Sequence, residues 1–251
     1  MYGGICGVNV RWKGLSGSTL KLIAIVSMLI DHVAAAVIVR VLYAGHWTEQ
    51  LYQIYRVMRS VGRIAFPIFC FFLVEGFEHT RDRKKYALRL FLFALISEIP
   101  FDLAFSAEIL EVQYQNVFFT LLIGLITVMA FHAAEEKKEW NPVVRVVLLA
   151  LIVAAGMGIA LFLKTDYDAK GVMAILLLYV FRKKRSMQIL AGCLFFSWWE
   201  LPALAAFFLL ACYNGTRGLR MKYFFYVFYP AHLLLLYAVC LLMGTAGIPA
   251  V

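Results

Sequence analysis

The stretch LKLIAIVSMLIDHVAAAVIVRVLY, residues 20–43, decides the fold class. A hydrocarbon core of about 30 Å requires about 20 helical residues, and this apolar stretch is long enough to cross it. Similar stretches recur along the 251 residues, of which 63% are hydrophobic and 16% are charged. Ordinary soluble domains have roughly 45–50% apolar and about 25% charged residues. The composition therefore excludes soluble enzymes, secreted disulfide scaffolds, coiled coils and disordered chains, and it predicts a polytopic membrane protein.

We expect an all-α protein that forms a single integral membrane domain over residues 1–251, with about nine transmembrane helices. Counts of eight to ten also fit, because the region 171–212 contains three apolar pieces that are short for full spans. The predicted spans are 20–43, 61–77, 86–105, 116–134, 143–163, 171–181, 187–199, 201–212 and 223–243.

The distribution of basic residues predicts the orientation of these spans. Lys and Arg are enriched in the cytoplasmic loops of membrane proteins. Placing the N-terminus in the cytoplasm and alternating nine times puts most of the 24 basic residues inside, and the C-terminus outside. The predicted cytoplasmic loops include 81–85, 137–139, 182–185 and 217–222.

The charge and the cysteines also indicate which partners to exclude. The net charge of +9 follows from the basic loops, so we expect no nucleic-acid partner. The five cysteines are odd in number, lie mostly in apolar stretches and show no metal-ligand spacing such as CxxC. We therefore expect neither a metal site nor a disulfide framework.

Several ionisable residues lie inside the predicted spans, where such residues are costly and usually mark function. Asp31 and His32 lie at the centre of the first span, and His232 lies in the last. Glu98 and Asp102 are four residues apart and share a helical face. Counted from the cytoplasmic ends, His32 and Glu98 lie roughly 18 Å deep and His232 roughly 14 Å deep. The other polar residues that we single out are Arg63, Glu75 and Asn116.

Structural roles remain open for some of these residues. A membrane histidine such as His232 can simply hydrogen-bond two helices. Arg63 can form an ion pair with Glu98 or Asp102, and Glu75 is close enough to the interface to be solvated. Asp31 and His32 are two adjacent polar residues in mid-span, and this favours a functional role for them.

The spacing of Lys21 and His32 indicates a binding path along the first helix. The two residues are eleven positions apart, close to three whole turns, and therefore share a face. Lys21 lies at the cytoplasmic rim, and His32 lies roughly 16 Å deeper. A long anionic carrier such as coenzyme A could place its phosphates at the rim and its reactive end at the histidine.

Four segments of this chain closely resemble the TraX family, which is named for a conjugative-plasmid protein that acetylates the N-terminus of pilin. The resemblance extends over roughly residues 18–240. The family in turn resembles the transmembrane acyltransferases that modify bacterial polysaccharides and lysosomal heparan sulfate. The segments that carry the resemblance are LKLIAIVSMLIDH (20–32), GRIAFPIFCFFLVEGFEHTRDRKKYALRLFLFALISEIPFDLAF (62–105), QNVFFTLLIGL (115–125) and FYPAHLLLLY (228–237).

The resemblance implies a membrane-embedded O- or N-acetyltransferase in the cytoplasmic (inner) membrane of a bacterium. It would move an acyl group from cytoplasmic acetyl-CoA, or another acyl-CoA, to an exported protein, a glycan or a lipid. His32 would act as general base or acyl carrier beside Asp31, and Lys21 and Arg89 would bind the phosphates of the carrier. The residues left for the substrate are Glu98, Asp102, Asn116 and His232, with Arg63 and Glu75 as ion pairs or supports of the site.

Two other functions fit the same residues. Acids and histidines near the midplane also form proton relays, and the short pieces in 171–212 could be the broken helices of a proton-coupled transporter. A non-catalytic assembly factor for a secretion or conjugation apparatus is the third possibility.

Overall fold

The computed structural model describes residues 14–250 of the chain. Cys6, one of the five cysteines, and Arg11 and Lys13, two of the basic residues expected in the cytoplasm, lie outside this range. Within it the structure is helical, and the two isolated β-bridges, Leu15 with Tyr213 and Gln115 with Thr165, are its only β pairing. This confirms the predicted all-α class.

Helices cover the nine predicted ranges to within a few residues, although the number that cross a membrane stays a prediction. The α-helices are α1 Gly17–His32, α2 Val39–Tyr43, α3 Glu49–Gly62, α4 Ala65–His79, α5 Arg83–Phe105, α6 Val117–Glu135, α7 Pro142–Phe162, α8 Asp168–Val180, α9 Arg185–Trp199, α10 Leu204–Ala211 and α11 Lys222–Leu242. A π-helical segment, Val33–Ile38, joins α1 to α2, and a 3-10 turn, Leu201–Ala203, precedes α10.

Five helical stretches in the described range are long and apolar enough to cross a membrane. They include two composite stretches, because α1 continues through the π-helical segment into α2, and α3 continues into α4. The protein is therefore a multi-pass membrane protein. The five are Gly17–Tyr43, Glu49–His79, Val117–Glu135, Pro142–Phe162 and Tyr223–Leu242.

Local sequence explains where the helices begin. Ser16 caps α1 by accepting a hydrogen bond from the backbone N–H of Thr19, and Asn116 caps α6 in the same way through Phe118. Asp82 accepts from the N–H of Lys85 at 2.9 Å at the start of α5. This backbone hydrogen bond lowers the pKa of the Asp82 carboxyl, so Asp82 is ionised where the positive end of the helix dipole favours a negative charge.

Helix α3 lies outside the predicted spans, and the structure adds it to the bundle. Its charged residues include Arg56 and Arg59, which lower its hydropathy, and its apolar residues follow a helical period instead of a continuous run. The helix packs antiparallel to α1, where the hydroxyl of Ser27 donates to the carbonyl of Val61. At Gly62 a Cβ atom would collide with the Asp31 side chain, so this close packing requires glycine.

The four predicted basic loops lie at one end of the bundle, which we call the Lys21 end because α1 begins there. Arg182, after α8, pairs with Glu78 at the end of α4 and with Glu135 at the end of α6. The N–H of Leu15 donates to the carbonyl of Cys212 after α10. The shared end is what the predicted orientation requires, and the side of the membrane that it faces stays a prediction.

Helices α8 and α9 are too short to run the full length of the bundle. They contain 13 and 15 residues, which correspond to about 20 and 22 Å, short of a hydrocarbon core of about 30 Å. Polar residues at their ends, Tyr167 and Glu200, interact with Arg63 between α3 and α4. Polar groups at this depth must be enclosed by protein or in contact with water.

Candidate active site

A cavity of about 660 Å³ lies between α1, α4, α5, α6 and α11, within the size range of small-molecule sites. Its lysine and arginine lining residues are Lys21, Arg89 and Arg217, and Glu75 and His79 also line it. Met28, Phe118, Leu121 and Tyr229 also line it, deeper in the bundle. The cavity is therefore charged towards the Lys21 end and apolar inside. Aromatic walls between these regions come from Phe72, Tyr86, Tyr213, Phe225 and Tyr226.

The cations of the cavity contact aromatic rings. The Lys21 ammonium lies 4.7 Å from the centre of the Phe72 ring and 5.7 Å from that of Phe225. The Arg89 guanidinium lies 5.8 Å from the centre of the Tyr86 ring, and its buried Nε has no hydrogen-bond partner among the described residues. Lys21 and Arg89 were expected in one site, and the structure places both in the wall of this cavity.

The loop that follows α10 builds the mouth of the cavity and supplies Arg217, which the sequence analysis had assigned only to a basic loop. The N–H of Gly17 donates to the carbonyl of Thr216 at 2.8 Å, and the N–H of Ser18 donates to that of Arg217 at 3.0 Å. These bonds fix Arg217 beside the start of α1. Burial raises the pKa of the nearby Tyr213 phenol, so its hydroxyl stays protonated and can donate a hydrogen bond.

His32 and His232 form a direct contact beyond the deep end of the cavity. Nδ1 of His32 lies 2.7 Å from Nε2 of His232, and the two rings are stacked with an interplanar angle of 12°. Nδ1 of His232 lies 2.8 Å from the carbonyl oxygen of Phe228. The ring of Tyr229 meets both histidines edge-on and also lines the cavity. Tyr229 therefore connects the cavity to the histidine pair.

The backbone at His32 is irregular. Helix α1 ends at this residue, and the π-helical segment begins at Val33. Single π-helical turns inside α-helices are rare and are frequently found at functional sites. The ring of Phe105, at the end of α5, packs edge-on against His32 at 5.4 Å. His32 is partly buried, with its ring between those of Phe105, Tyr229 and His232.

Asp31 does not accompany His32, although the sequence analysis grouped the two as catalytic residues. Adjacent residues on a helix point about 100° apart, and Asp31 faces α3. Its carboxylate accepts a hydrogen bond from the Arg59 guanidinium at 2.7 Å. The hydrogen-bond partner of His32 is His232, which the sequence analysis had assigned to the substrate.

Glu98, Asp102 and Asn116, which the resemblance left for the substrate together with His232, contact other groups in the structure. The amide of Asn116 donates to the Glu98 carboxylate and to the carbonyl of Ala94. The Asp102 carboxylate accepts from the N–H of Glu111 at 2.9 Å. These contacts tie α5 to the connection that leads into α6. Neither acid contacts His232, whose Nδ1 is bound to its own helix.

Arg63 and Glu75 form ion pairs with partners that the sequence did not indicate. Nε of Arg63 lies 3.7 Å from the carboxylate of Glu200, whereas the expected partners Glu98 and Asp102 lie elsewhere. Glu75 pairs with Arg185 at 3.3 Å at the Lys21 end. Both partners come from α9, since Arg185 begins this helix and Glu200 follows its last residue. The packing of α9 in the bundle brings them to Glu75 and Arg63.

The opposite end holds a polar group that we call the acid–arginine cluster, defined by Asp31, Arg59, Arg63, Asp166 and Glu200. Its pairs are Asp31 with Arg59 and Arg63 with Glu200, and the Tyr114 hydroxyl donates to Asp166. The side chains of Arg59, Arg63 and Glu200 are 28%, 26% and 23% exposed, so the protein does not fully enclose the cluster.

Arg40 is a buried cation that the sequence analysis passed over, although it is visible as an arginine in the apolar stretch 20–43. It is fully buried and donates to the carbonyls of Ala36, Ala104 and Ile248. The carbonyl groups at the end of α5 are among its acceptors, where a cation is favoured by the helix dipole. Arg40 therefore joins α1–α2, α5 and the residues after α11.

Comparison with known proteins identifies the family of the chain. Residues 16–240 match the model described as TraX protein. The chain belongs to the TraX family. A relative from Dichelobacter nodosus, named probable fimbrial assembly protein FimC, serogroup H1, is 33% identical over 259 aligned residues, covering 88% of this chain and 94% of that protein. An uncharacterized protein of Rickettsia prowazekii (strain Madrid E) is 26% identical over 133 residues, covering 53% of this chain and 44% of that protein. No solved structure matches the chain.

The TraX match includes the cavity and the histidine pair. Lys21, Arg89 and Arg217 lie within the matched residues 16–240, as do His32 and His232. The carbonyl of Ile248, which accepts a hydrogen bond from Arg40, lies beyond residues 16–240. The candidate active site is thus built wholly from the part of the chain that carries the TraX family pattern.

Proposed function

We propose that this TraX-family protein is an acyltransferase that moves an acyl group, such as acetyl, from acyl-CoA to an acceptor at His32. The observation that carries the proposal is the cavity with three cations in its lining and Tyr229 at its deep end, in contact with the His32–His232 pair. Coenzyme A has a matching distribution of chemistry, because its phosphates are at one end and its thiol is at the other.

The donor would bind with its phosphates at Lys21, Arg89 and Arg217. Charge-assisted hydrogen bonds from Arg and Lys are the usual means of phosphate recognition. The thioester arm would extend past the aromatic walls towards Tyr229. In this proposal the Lys21 end faces the cytoplasm, where acyl-CoA is present, and the basic loops at that end support this orientation.

His32 would act as the general base. As the acceptor O–H or N–H attacks the thioester carbonyl, its proton moves to the His32 imidazole and a new C–O or C–N bond forms. The C–S bond then breaks, and the departing sulfur takes the proton from His32 to give the free thiol of CoA. The products are the acylated acceptor and CoA, so the atoms balance.

The acceptor would approach from the opposite end, past the ends of α8 and α9 beside Arg63. The half-buried acid–arginine cluster supports this path, because polar groups at that depth favour water or a polar substrate over lipid. The acceptor class that we favour is an exported protein, because a relative that aligns over most of this chain is named a fimbrial assembly protein. Glycans and lipids are the alternatives.

The decisive experiment is acyl transfer by the purified protein in lipid nanodiscs, with labelled acetyl-CoA and envelope proteins, glycans or lipids. We expect label in one acceptor class and a loss of about 10²–10⁴-fold in rate for His32→Ala, with acetyl-CoA binding retained. The matched control is His132→Ala, since His132 binds Tyr179 at 2.7 Å and does not line the cavity. Near wild-type transfer by His32→Ala would contradict this mechanism.

Two further measurements separate the alternatives. Proton-coupled flux in vesicles without CoA, abolished by His32→Ala, would instead support a transporter. Assembly of surface structures that is indifferent to His32→Ala would support a non-catalytic assembly factor. For orientation, Arg83→Cys and Lys183→Cys in a cysteine-free background should resist an impermeant thiol reagent applied from outside, and labelling of either would overturn the proposed direction of transfer.

A further inference from the structure

We propose that His232 is a positioning residue that fixes the tautomer of His32, so that Nε2 of His32 carries the reactive lone pair. The catalytic consequence rests on the proposed acyl transfer, whereas the tautomer itself can be measured without any reaction. The proposal gives His232 a role different from substrate binding, and it identifies the atom of His32 that meets the acceptor.

The first step concerns His232. Its Nδ1 lies 2.8 Å from the carbonyl oxygen of Phe228. A carbonyl oxygen can only accept a hydrogen bond, so this Nδ1 must carry a proton. A neutral imidazole has one N–H, and Nε2 of a neutral His232 is therefore an acceptor.

The second step concerns His32. Its Nδ1 lies 2.7 Å from Nε2 of His232. Because that Nε2 can only accept, Nδ1 of His32 must donate, and the one proton of a neutral His32 lies there. Nε2 of His32 is left with its lone pair. The chain of donors thus runs from His32 through His232 to the carbonyl of Phe228.

The surroundings of His32 and His232 favour the neutral form of both imidazoles. Within residues 14–250, only one histidine forms an ion pair with a carboxylate. This pair joins His132 to Glu136 and does not involve His32 or His232. Neither His32 nor His232 has a carboxylate partner in that range. A buried imidazolium without a partner is costly, so two neutral rings are the stable state.

Aromatic packing holds this arrangement in one geometry. The Phe228 ring stacks on His232 with an interplanar angle of 14° at 4.8 Å. Phe105 and Tyr229 meet His32 edge-on, at 5.4 and 5.9 Å. The orientation of both imidazoles is therefore set by their neighbours. In a catalytic triad a carboxylate fixes the tautomer of the histidine, and here a second histidine bound to a backbone carbonyl takes that part.

Two substitutions at position 232 test whether His232 acts by accepting a hydrogen bond from His32. Both replace the imidazole by an amide, but only one of them can accept that hydrogen bond. The amide oxygen of His232→Gln can reach the place of Nε2 and accept from His32. The amide of His232→Asn corresponds to Nδ1, so it can bind the Phe228 carbonyl but falls short of His32. Cys240→Ala is the matched control, because Cys240 is buried on α11 and contacts Arg40 instead of the histidines.

The test is nitrogen NMR of the ¹⁵N-histidine-labelled protein in nanodiscs, with the signals of the five histidines assigned by single substitutions. We expect wild-type, His232→Gln and Cys240→Ala proteins to show His32 protonated at Nδ1 and unprotonated at Nε2. We expect His232→Asn to show a mixture of tautomers. In acyl transfer, His232→Asn should lower kcat by about 10- to 10⁴-fold, the upper limit being the cost of a wrong tautomer in a serine-protease triad. Its KM for acyl-CoA should be unchanged, and His232→Gln should recover most of kcat.

The outcomes distinguish this inference from the proposed function. A wild-type His32 protonated at Nε2 would overturn the inference, whatever the activity. An unchanged His32 tautomer in His232→Asn would do the same. The expected tautomers in a protein that transfers no acyl group would refute the acyltransferase and leave the positioning of His32 by His232 intact. If His232→Asn does not fold, the wild-type spectrum and the Gln variant still decide the question.

Discussion

The cavity at the Lys21 end and the acid–arginine cluster at the opposite end both contain charged side chains, but they differ in how these charges are paired. Both hold charged side chains that the bundle at least partly encloses, where an unpaired charge is costly. The cluster pairs its charges internally, Asp31 with Arg59 and Arg63 with Glu200. Over residues 14–250, Lys21, Arg89 and Arg217 form no ion pair and line an open cavity, and the acid in its lining, Glu75, pairs with Arg185 instead. A self-paired group stabilises the fold, whereas unpaired cations around a cavity are available to an anionic ligand.

The comparison predicts that charge removal in the cluster acts mainly on stability. Arg59→Met leaves Asp31 buried without its partner, and we expect a loss of about 2–3 kcal/mol in the free energy of unfolding. This is somewhat less than the 3–5 kcal/mol typical of a fully buried pair, because Arg59 is partly exposed. Denaturant titration of the protein in mixed micelles measures the loss.

Two further variants check this prediction. The double variant Asp31→Asn with Arg59→Met should recover at least half of the loss, because no uncompensated charge remains. Arg56→Met is the matched control, since Arg56 is exposed on the same helix. Equal losses in Arg56→Met and Arg59→Met would show that the Asp31–Arg59 pair contributes nothing specific.

The comparison predicts the reverse pattern for the cavity. Lys21→Ala should weaken acyl-CoA binding by about 10- to 100-fold, because a hydrogen bond between charged groups contributes roughly 1.5–3 kcal/mol. It should leave kcat at saturation and the free energy of unfolding nearly unchanged. Calorimetric titration with CoA measures the affinity, and Arg89→Ala should behave alike.

A lysine at the other end provides the control for the cavity. Lys170 lies 5.4 Å from the centre of the Trp199 ring and does not line the cavity. Lys170→Ala should therefore leave CoA affinity unchanged. If Lys21→Ala destabilises the protein as much as Arg59→Met does, the distinction between the two regions fails.

The smallest expected effect concerns Tyr213 at the mouth of the cavity. Tyr213→Phe removes one neutral hydroxyl, and we expect a loss of about fivefold in CoA affinity, or about 1 kcal/mol. Because burial raises the pKa of the Tyr213 phenol above its ordinary value near 10, the hydroxyl stays protonated across pH 6–9. The ratio of wild-type to variant affinity should thus be constant over that range, and a ratio that falls towards pH 9 would contradict this role.

Much of the molecule follows from the sequence, because hydropathy and the helical period are local properties. They predict the helices and the basic loops that share one end. The shared face of Lys21 and His32 stays a prediction. Helix α3 escapes such reasoning, since its arginines suppress the hydropathy signal and its apolar face is completed only by packing against α1. The position of Arg217 in the cavity could not be predicted either, because a loop residue does not follow a helical period.

The pairing of side chains between helices was decided by the tertiary structure alone. The sequence places His32 and His232 at similar depths, but depth does not say which helices are neighbours or which faces meet. Packing brought α11 against α1 and α5, and so paired His32 with His232, while it turned Asp31 towards Arg59 and Arg63 towards Glu200. Residues 200 positions apart along the chain come within 2.7 Å only through the packing of the whole bundle, which no local pattern encodes.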